Sequence, residues 1–268
     1  MHNPAVDERP PTRLEVALGS DRAPLVILLI LFPVICWSWI VVMARDMYGP
    51  MTGASAWMMT PAWDARHLLL LWAMWAVMMA GMMLPSAAPL LLLYGVAARR
   101  QGLGAAASRQ IYALAAGYIA VWALFSVVVT AAQRILSMFL ILSPMMTLAS
   151  PAIGAALLLA AGIYQLTPLK HACLRNCQSP MSFLMHRWRA GVAGAFRMGI
   201  DHGANCLGCC WALMLLLFAG GVMNLAVIAA LTALVAFERL APFGVRGARV
   251  SGALLMAAAL WMLLQARS

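Results

Sequence analysis

From residue 24 onward the chain alternates long apolar runs with short polar segments, whereas residues 1–23 are polar, proline-bearing and of mixed charge. About 20 apolar residues make one helical crossing of a bilayer. On that measure the runs predict spans at Leu25–Met43, Leu68–Val96, Ile111–Gln133, Ile153–Thr167, Ala204–Gly220, Val222–Glu238 and Val250–Gln265. The expectation is an all-α, polytopic helical transmembrane bundle of about seven spans. Pro85 and Pro89 interrupt the second run and predict a kink or an end there, because proline removes a helical donor. Gly220 and Gly221 leave so little chain between the fifth and sixth runs that a tight hairpin is expected. Residues 1–23 read as a flexible cytoplasmic tail and 24–268 as a single transmembrane domain. The first run lacks a small-residue cleavage site behind it, which favours an uncleaved signal anchor.

Composition agrees with the pattern: 65% of the 268 residues are hydrophobic and 10% charged, against roughly 25% charged in a soluble domain. The net charge of +10 raises the question of nucleic acid. No aromatic-interleaved basic stripe occurs, however, and no nucleic-acid partner is expected. Fourteen of the 18 Lys and Arg residues fall on one side of the predicted spans, leaving Arg45, Arg66, Arg134 and Arg267 opposite. That bias gives an N-in, C-out arrangement by the positive-inside rule. It places residues 168–203 in a cytoplasmic Cys/His loop and 44–67 outside, with the lipid bilayer as the first partner.

Chemistry concentrates between Thr167 and Trp211, which hold five of the six cysteines and His171, His186 and His202. A cytoplasmic, reducing location argues for metal or redox roles over structural disulfides. His171, Cys173 and Cys177 form one group, and the two thiols share a face if that segment is helical. Asp201, His202, Cys206, Cys209 and Cys210 form a second group at the start of the fifth predicted span. With Met198 at zero, helical rotation puts Cys209 near 20°, His202 near 40°, Cys206 near 80° and Cys210 near 120°, which is one stripe. Sulfur donors with imidazole suit Cu(I) first and Zn second. A structural zinc site would use Cys173, Cys177, Cys206 and Cys209, although their spacing is not that of a zinc ribbon. The competing reading is that buried cysteines simply fill a helix interface. Cys36 is assigned to packing and His186 to the surface.

Other residues carry weaker signals. Asp201 is expected to cap the fifth span, and Glu238 to pair with Arg239 or another loop arginine. Met74, Met78 and Met82 share a helical face beside Met79 and Met83, while Met51, Met58 and Met59 lie in the external loop. Such a stripe is core packing first and a thioether path for Cu(I) second. The Gly199 to Gly203 spacing suits close helix contact. No G-x-S-x-G elbow, phosphate loop or acidic pair within the spans supports a hydrolase, so a non-enzymatic role is preferred.

The segments MMAGMMLPSAAPLL at 78–91, TPLKHACLRNCQSP at 167–180 and GIDHGANCLGCCWALMLLLFAGGVMNL at 199–225 resemble the bacterial family described as predicted metal-binding integral membrane proteins. The resemblance covers residues 65–240. It implies a multi-pass protein of the bacterial inner membrane with a metal site and a copper-chaperone-like role. The positions it carries over are Cys173, Cys177, His202, Cys206, Cys209 and Cys210, with His171 beside them. The leading expectation is a Cu(I)-handling protein with its Cys/His site at the cytoplasmic membrane boundary, exchanging the ion with a metal-donor or metal-acceptor protein. Two alternatives remain. One is a membrane thiol–disulfide oxidoreductase using Cys206 and Cys209 near the start of a helix. The other is a metal-independent membrane assembly partner.

Overall fold

The computed structural model describes residues 23–49, 64–101, 105–139 and 150–265, together with 141, 142, 146 and 148. Most of the expected N-terminal tail, and Met51, Met58 and Met59, lie outside the described residues. Among the described residues the fold is helical without a strand: α1 (Ala23–Met47), α2 (Ala65–Arg100), α3 (Ala105–Met138), α4 (Pro151–Gln165), α5 (Pro168–Gln178), α6 (Pro180–Arg187), α7 (Gly191–Gly220), α8 (Leu225–Leu240) and α9 (Gly244–Gln265). Local sequence explains several starts. Asp64 accepts from the His67 amide at 2.8 Å ahead of α2, and Thr167 accepts from the Lys170 amide at 3.3 Å ahead of α5. Proline opens α4, α5 and α6, where its missing N–H costs nothing.

By length and composition, α1 over Ile27–Met47, α2, α3, α7 and α9 could each cross a membrane. A sixth crossing results if α4 and α5, bent by 64° across a short break, are one interrupted span. The expected seven spans are thus revised to five or six. At 16 residues α8 is about 24 Å long, short of a hydrocarbon core about 30 Å thick. The helix expected to begin at Ala204 begins at Gly191, because its glycine-rich first half, though weak in hydropathy, packs against α3. The expected hairpin after it is present. Gly221 turns the chain at φ 93°, and the Asn224 side chain accepts from the Ala226 and Val227 amides to start α8.

Helix α2 is the spine of the core. It runs antiparallel to α3: Tyr94 donates to Gln110 at 2.8 Å at one end, and Trp75 donates to Gln133 at 2.7 Å at the other. It also continues as one helix through Pro85 and Pro89, so of the expected kink or end the end is absent. Ser86 and Tyr118 both direct hydroxyls at the Met83 carbonyl, at 2.7 and 3.0 Å, so polar side chains serve the backbone in this stretch. Helices α3 and α7 run parallel at backbone contact, with Gly199 against Leu114 and Gly203 against Val121. A Cβ on Gly199 would lie 2.1 Å from the Leu114 carbonyl oxygen, and one on Gly117 2.1 Å from that of Phe196. Only glycine admits this approach. A second close seam joins α4 to α9 through Gly162 and Gly252.

Candidate metal centre

The α3–α7 seam brings the buried stripe of α7 against α2 and α3. Met198, His202, Cys206, Cys209 and Cys210 are all buried on it, as the helical rotation predicts. Cys206 lies near the middle of α7, and its neighbours Met83 and Tyr118 lie near the middles of α2 and α3. The cluster therefore occupies mid-helix depth in the bundle, not the helix entrance that was expected. Helix α7 begins 15 residues before Cys206. The helix dipole acts within the first turn, so the redox alternative loses its premise of a C-x-x-C at a helix start.

Cys206 is the hub. Its Sγ lies 3.0 Å from the Tyr118 hydroxyl and 2.8 Å from Arg239 Nη1. Cys209 and Cys210 turn their thiols toward the Cys206 carbonyl oxygen at 3.1 and 2.9 Å. From α5, Cys177 interacts electrostatically with Cys209, Cys206 and Arg239, and it lines one cleft together with His202 and Arg239. Cys210 Sγ stands 4.0 Å from the thioether of Met83, the inner end of the methionine stripe. Met74, Met78, Met79, Met82 and Met83 are all buried in the core, in keeping with packing.

Arg239 of α8 ties the centre together. Its Nη1 also reaches Ser86 and, at 3.3 Å, the Tyr118 hydroxyl, while Nη2 lies 3.3 Å from His202 Nε2. His202 is held between the Tyr118 and Phe183 rings, with centroids at 5.7 and 5.4 Å, and its buried Nδ1 has no hydrogen-bond partner among the described residues. A cleft of about 130 Å³, lined by Ser86, Cys177, Gln178, His202 and Arg239 among others, opens beside these groups.

Two expected ligands point elsewhere. His171 Nε2 is 3.1 Å from the Gln165 carbonyl, which it serves as a donor at the end of α4. Cys173 packs on Gly208, its Sγ 2.8 Å from where a Cβ there would stand, on the side of α7 where Tyr164 donates to the Gly208 carbonyl. Two other expectations are corrected. Asp201 lies inside α7, whose cap position is Ala190, and it pairs with Arg187 and Arg189 at 3.6 Å each. Glu238 pairs with the fully buried Lys170 at 2.6 Å, not with Arg239. Two of the fourteen cations counted as topological markers, Lys170 and Arg239, are interior. Cys36 is buried against Gly81 and His186 is exposed, as expected.

Among the described residues no three His, Cys, Asp or Glu side chains are grouped to hold one ion, so the four-thiol arrangement expected of structural zinc is absent there. The donors nevertheless fit a soft ion of low coordination number. The Cys209 and Cys210 thiols gather at the Cys206 backbone, the Met83 thioether stands beside Cys210, and the His202 imidazole shares Arg239 with Cys206. Among the described residues the side-chain oxygen in contact with the Cys206 thiol is that of Tyr118. Arg239, Tyr118 and Ser86 escaped the sequence reading because each is a single residue on a different helix. The signal available was Glu238-Arg239 within an apolar run, since ionisable residues there mark functional sites by default.

No curated protein and no solved structure matches the chain. A family model described as copper chaperone (PpoB2) matches residues 72–262. The match takes in α7 and both cysteine segments and covers well over half of the chain, which therefore belongs to this copper chaperone family.

Proposed function

We propose that the protein handles Cu(I) within a membrane, holding the ion between Cys206 and Cys209 and exchanging it through Cys177. The observation that carries this reading is the burial of Cys206 and Cys209 of α7, with Cys177 of α5 buried close by, in the interior of a copper chaperone family member. Two thiolates are the smallest ligand set that soft Cu(I) accepts, and a third sulfur close by offers a route for stepwise ligand exchange. Binding releases the thiol protons. The apolar helices support a multi-pass membrane protein. We place it in the bacterial inner membrane, with a soluble or membrane-bound protein as donor or acceptor of the ion.

Anaerobic purification of the full chain in detergent, Cu(I) loading and competition with a chromophoric Cu(I) chelator provide the test. The native protein should retain about one Cu(I) per chain, the stoichiometry of a two-thiolate site. Cys206→Ser with Cys209→Ser should retain none. Cys177→Ser should keep the stoichiometry but release the ion to the chelator more slowly. A native protein without bound copper, or a double variant that keeps it, would sink the assignment.

A further inference from the structure

Arg239 is a fully interior guanidinium, and among the described residues no carboxylate stands beside it. Its contacts are Ser86, Tyr118, Cys206 at 2.8 Å and His202 at 3.3 Å. The adjacent Glu238 points away and is already matched by Lys170. Asp201, on the same helix as the cysteines, is taken by Arg187 and Arg189. A buried charge is costly unless an opposite charge neutralises it. The groups able to supply that charge are the sulfurs: Cys206 at contact, and Cys177, which lines the same cleft as the guanidinium.

Resting on the copper reading above, we infer that Arg239 is a specificity-determining residue which makes the centre prefer a monovalent soft cation over a divalent one. The charge balance gives the reason. Two thiolates with Cu(I) form a centre of charge −1, and Arg239 brings it to zero. Two thiolates with Zn(II) are already neutral, so Arg239 would leave one uncompensated positive charge in the interior. A third thiolate ligand would restore neutrality for the divalent ion. Among the described residues, however, no three His, Cys, Asp or Glu side chains are grouped to hold one ion, and Cys177 stands outside the two-thiolate set as the exchanging thiol. The guanidinium is also fixed in place: Ser86 and Tyr118 hold the edge that faces Cys206, and both hydroxyls are themselves anchored on the Met83 carbonyl. It therefore acts as a permanent charge at contact distance.

Silver(I) and cadmium(II) are suitable probes, being isoelectronic soft ions that differ by one unit of charge. Equilibrium competition on the detergent-purified full chain would give the Ag(I)-to-Cd(II) and Cu(I)-to-Zn(II) affinity ratios for the native protein, Arg239→Gln and Arg239→Lys. Arg239→Gln should lower both ratios by about a hundredfold or more, the order set by one charge at contact distance in a protein interior. Arg239→Lys, which keeps the charge, should stay within about tenfold of the native ratios, lysine being a less directed donor. Unchanged ratios in Arg239→Gln, or equal losses in both variants, would overturn the inference. Should Arg239→Gln fail to fold, the native protein still decides, since uptake of Cd(II) as tight as that of Ag(I) contradicts it. A native protein that binds no Cu(I) removes the copper reading itself, whereas Cu(I) binding with unmoved ratios removes only the role of Arg239.

Discussion

Replacing Gly199 with alanine puts a methyl group where α3 and α7 have no room for one. The added carbon would stand 2.1 Å from the Leu114 carbonyl oxygen, 2.9 Å from the Tyr118 amide nitrogen and 3.0 Å from the Leu114 carbonyl carbon. Ordinary carbon–oxygen contacts between helices are about 3.3–3.6 Å, so the backbones must part by more than about 1 Å. All the nearby atoms are backbone, and no side chain can swing away to absorb the strain. Overpacking of this kind costs about 1–3 kcal/mol and more where the neighbours are rigid. Alanine regains about 1 kcal/mol of helix propensity over glycine. The net loss should then be about 2 kcal/mol, or roughly 4–8 °C in melting temperature for a chain of this size. The same displacement carries Tyr118 away from Cys206, now at 3.0 Å, so Cu(I) affinity should fall with stability. Gly154→Ala is the control, because the Cβ there meets only the flexible end of Met262 at 3.2 Å. Thermal unfolding in detergent reads both variants. If Gly199→Ala melts no lower than Gly154→Ala, the backbone contact does not hold these helices together and the packing argument fails.

Three other outcomes follow from the same geometry. Lys170→Met should cost about 3–5 kcal/mol because it strands the Glu238 carboxylate in the interior, and Lys170→Met with Glu238→Gln should recover most of that loss in the same melting assay. Cys173→Ala should leave Cu(I) stoichiometry unchanged while Cys209→Ala abolishes it, since Cys173 packs on Gly208 and Cys209 adjoins Cys206 and Cys177; equal losses in chelator competition would contradict this placement. Met83→Leu nearly conserves volume and should cost less than about 1.5 kcal/mol, yet slow Cu(I) loading if the thioether beside Cys210 takes part in transfer; unaltered loading kinetics would leave the methionine stripe as packing alone.

The α7 stripe was legible because helical rotation is a local property: once the segment is helical, His202, Cys206 and Cys209 must share a face. The start of that helix was not legible. GVAGAFRMGIDHGAN scores as polar and glycine-rich, and only the partner helix α3 reveals that its glycines are contact surfaces. The direction of Cys173 was hidden for a related reason. Cys173 and Cys177 do share one helix, but α5 runs past α7 so that one thiol meets Gly208 and the other meets Cys209. Positive-inside counting treated Lys170 and Arg239 as boundary charges, and burial reassigns both to the interior. A charge tally records neither depth nor partner.

The break between α4 and α5 shapes the candidate metal centre. Continued straight, α4 would carry position 177 about 18 Å farther along its own axis, away from α7. Pro168 and the Thr167 cap start a new helix instead, bent by 64°, and Cys177 is delivered beside Cys209. The bend exposes the end of α4, which the protein closes with polar side chains: His171 donates to the Gln165 carbonyl, while the Gln165 side chain donates to Glu238 at 2.8 Å and accepts from Lys170. Ser251 of α9 completes the set by donating to Glu238 at 2.9 Å. Successive residues on a helix point about 100° apart, so holding Glu238 at the bend fixes the rotation of α8 and thereby aims Arg239 at Cys206. The Lys170–Glu238 pair thus sets both halves of the centre: the thiol that arrives from α5 and the cation that arrives from α8. On this account the Lys170→Met with Glu238→Gln chain can regain stability and still bind Cu(I) less tightly than the native protein, because neutral partners no longer specify the angle at which Arg239 enters.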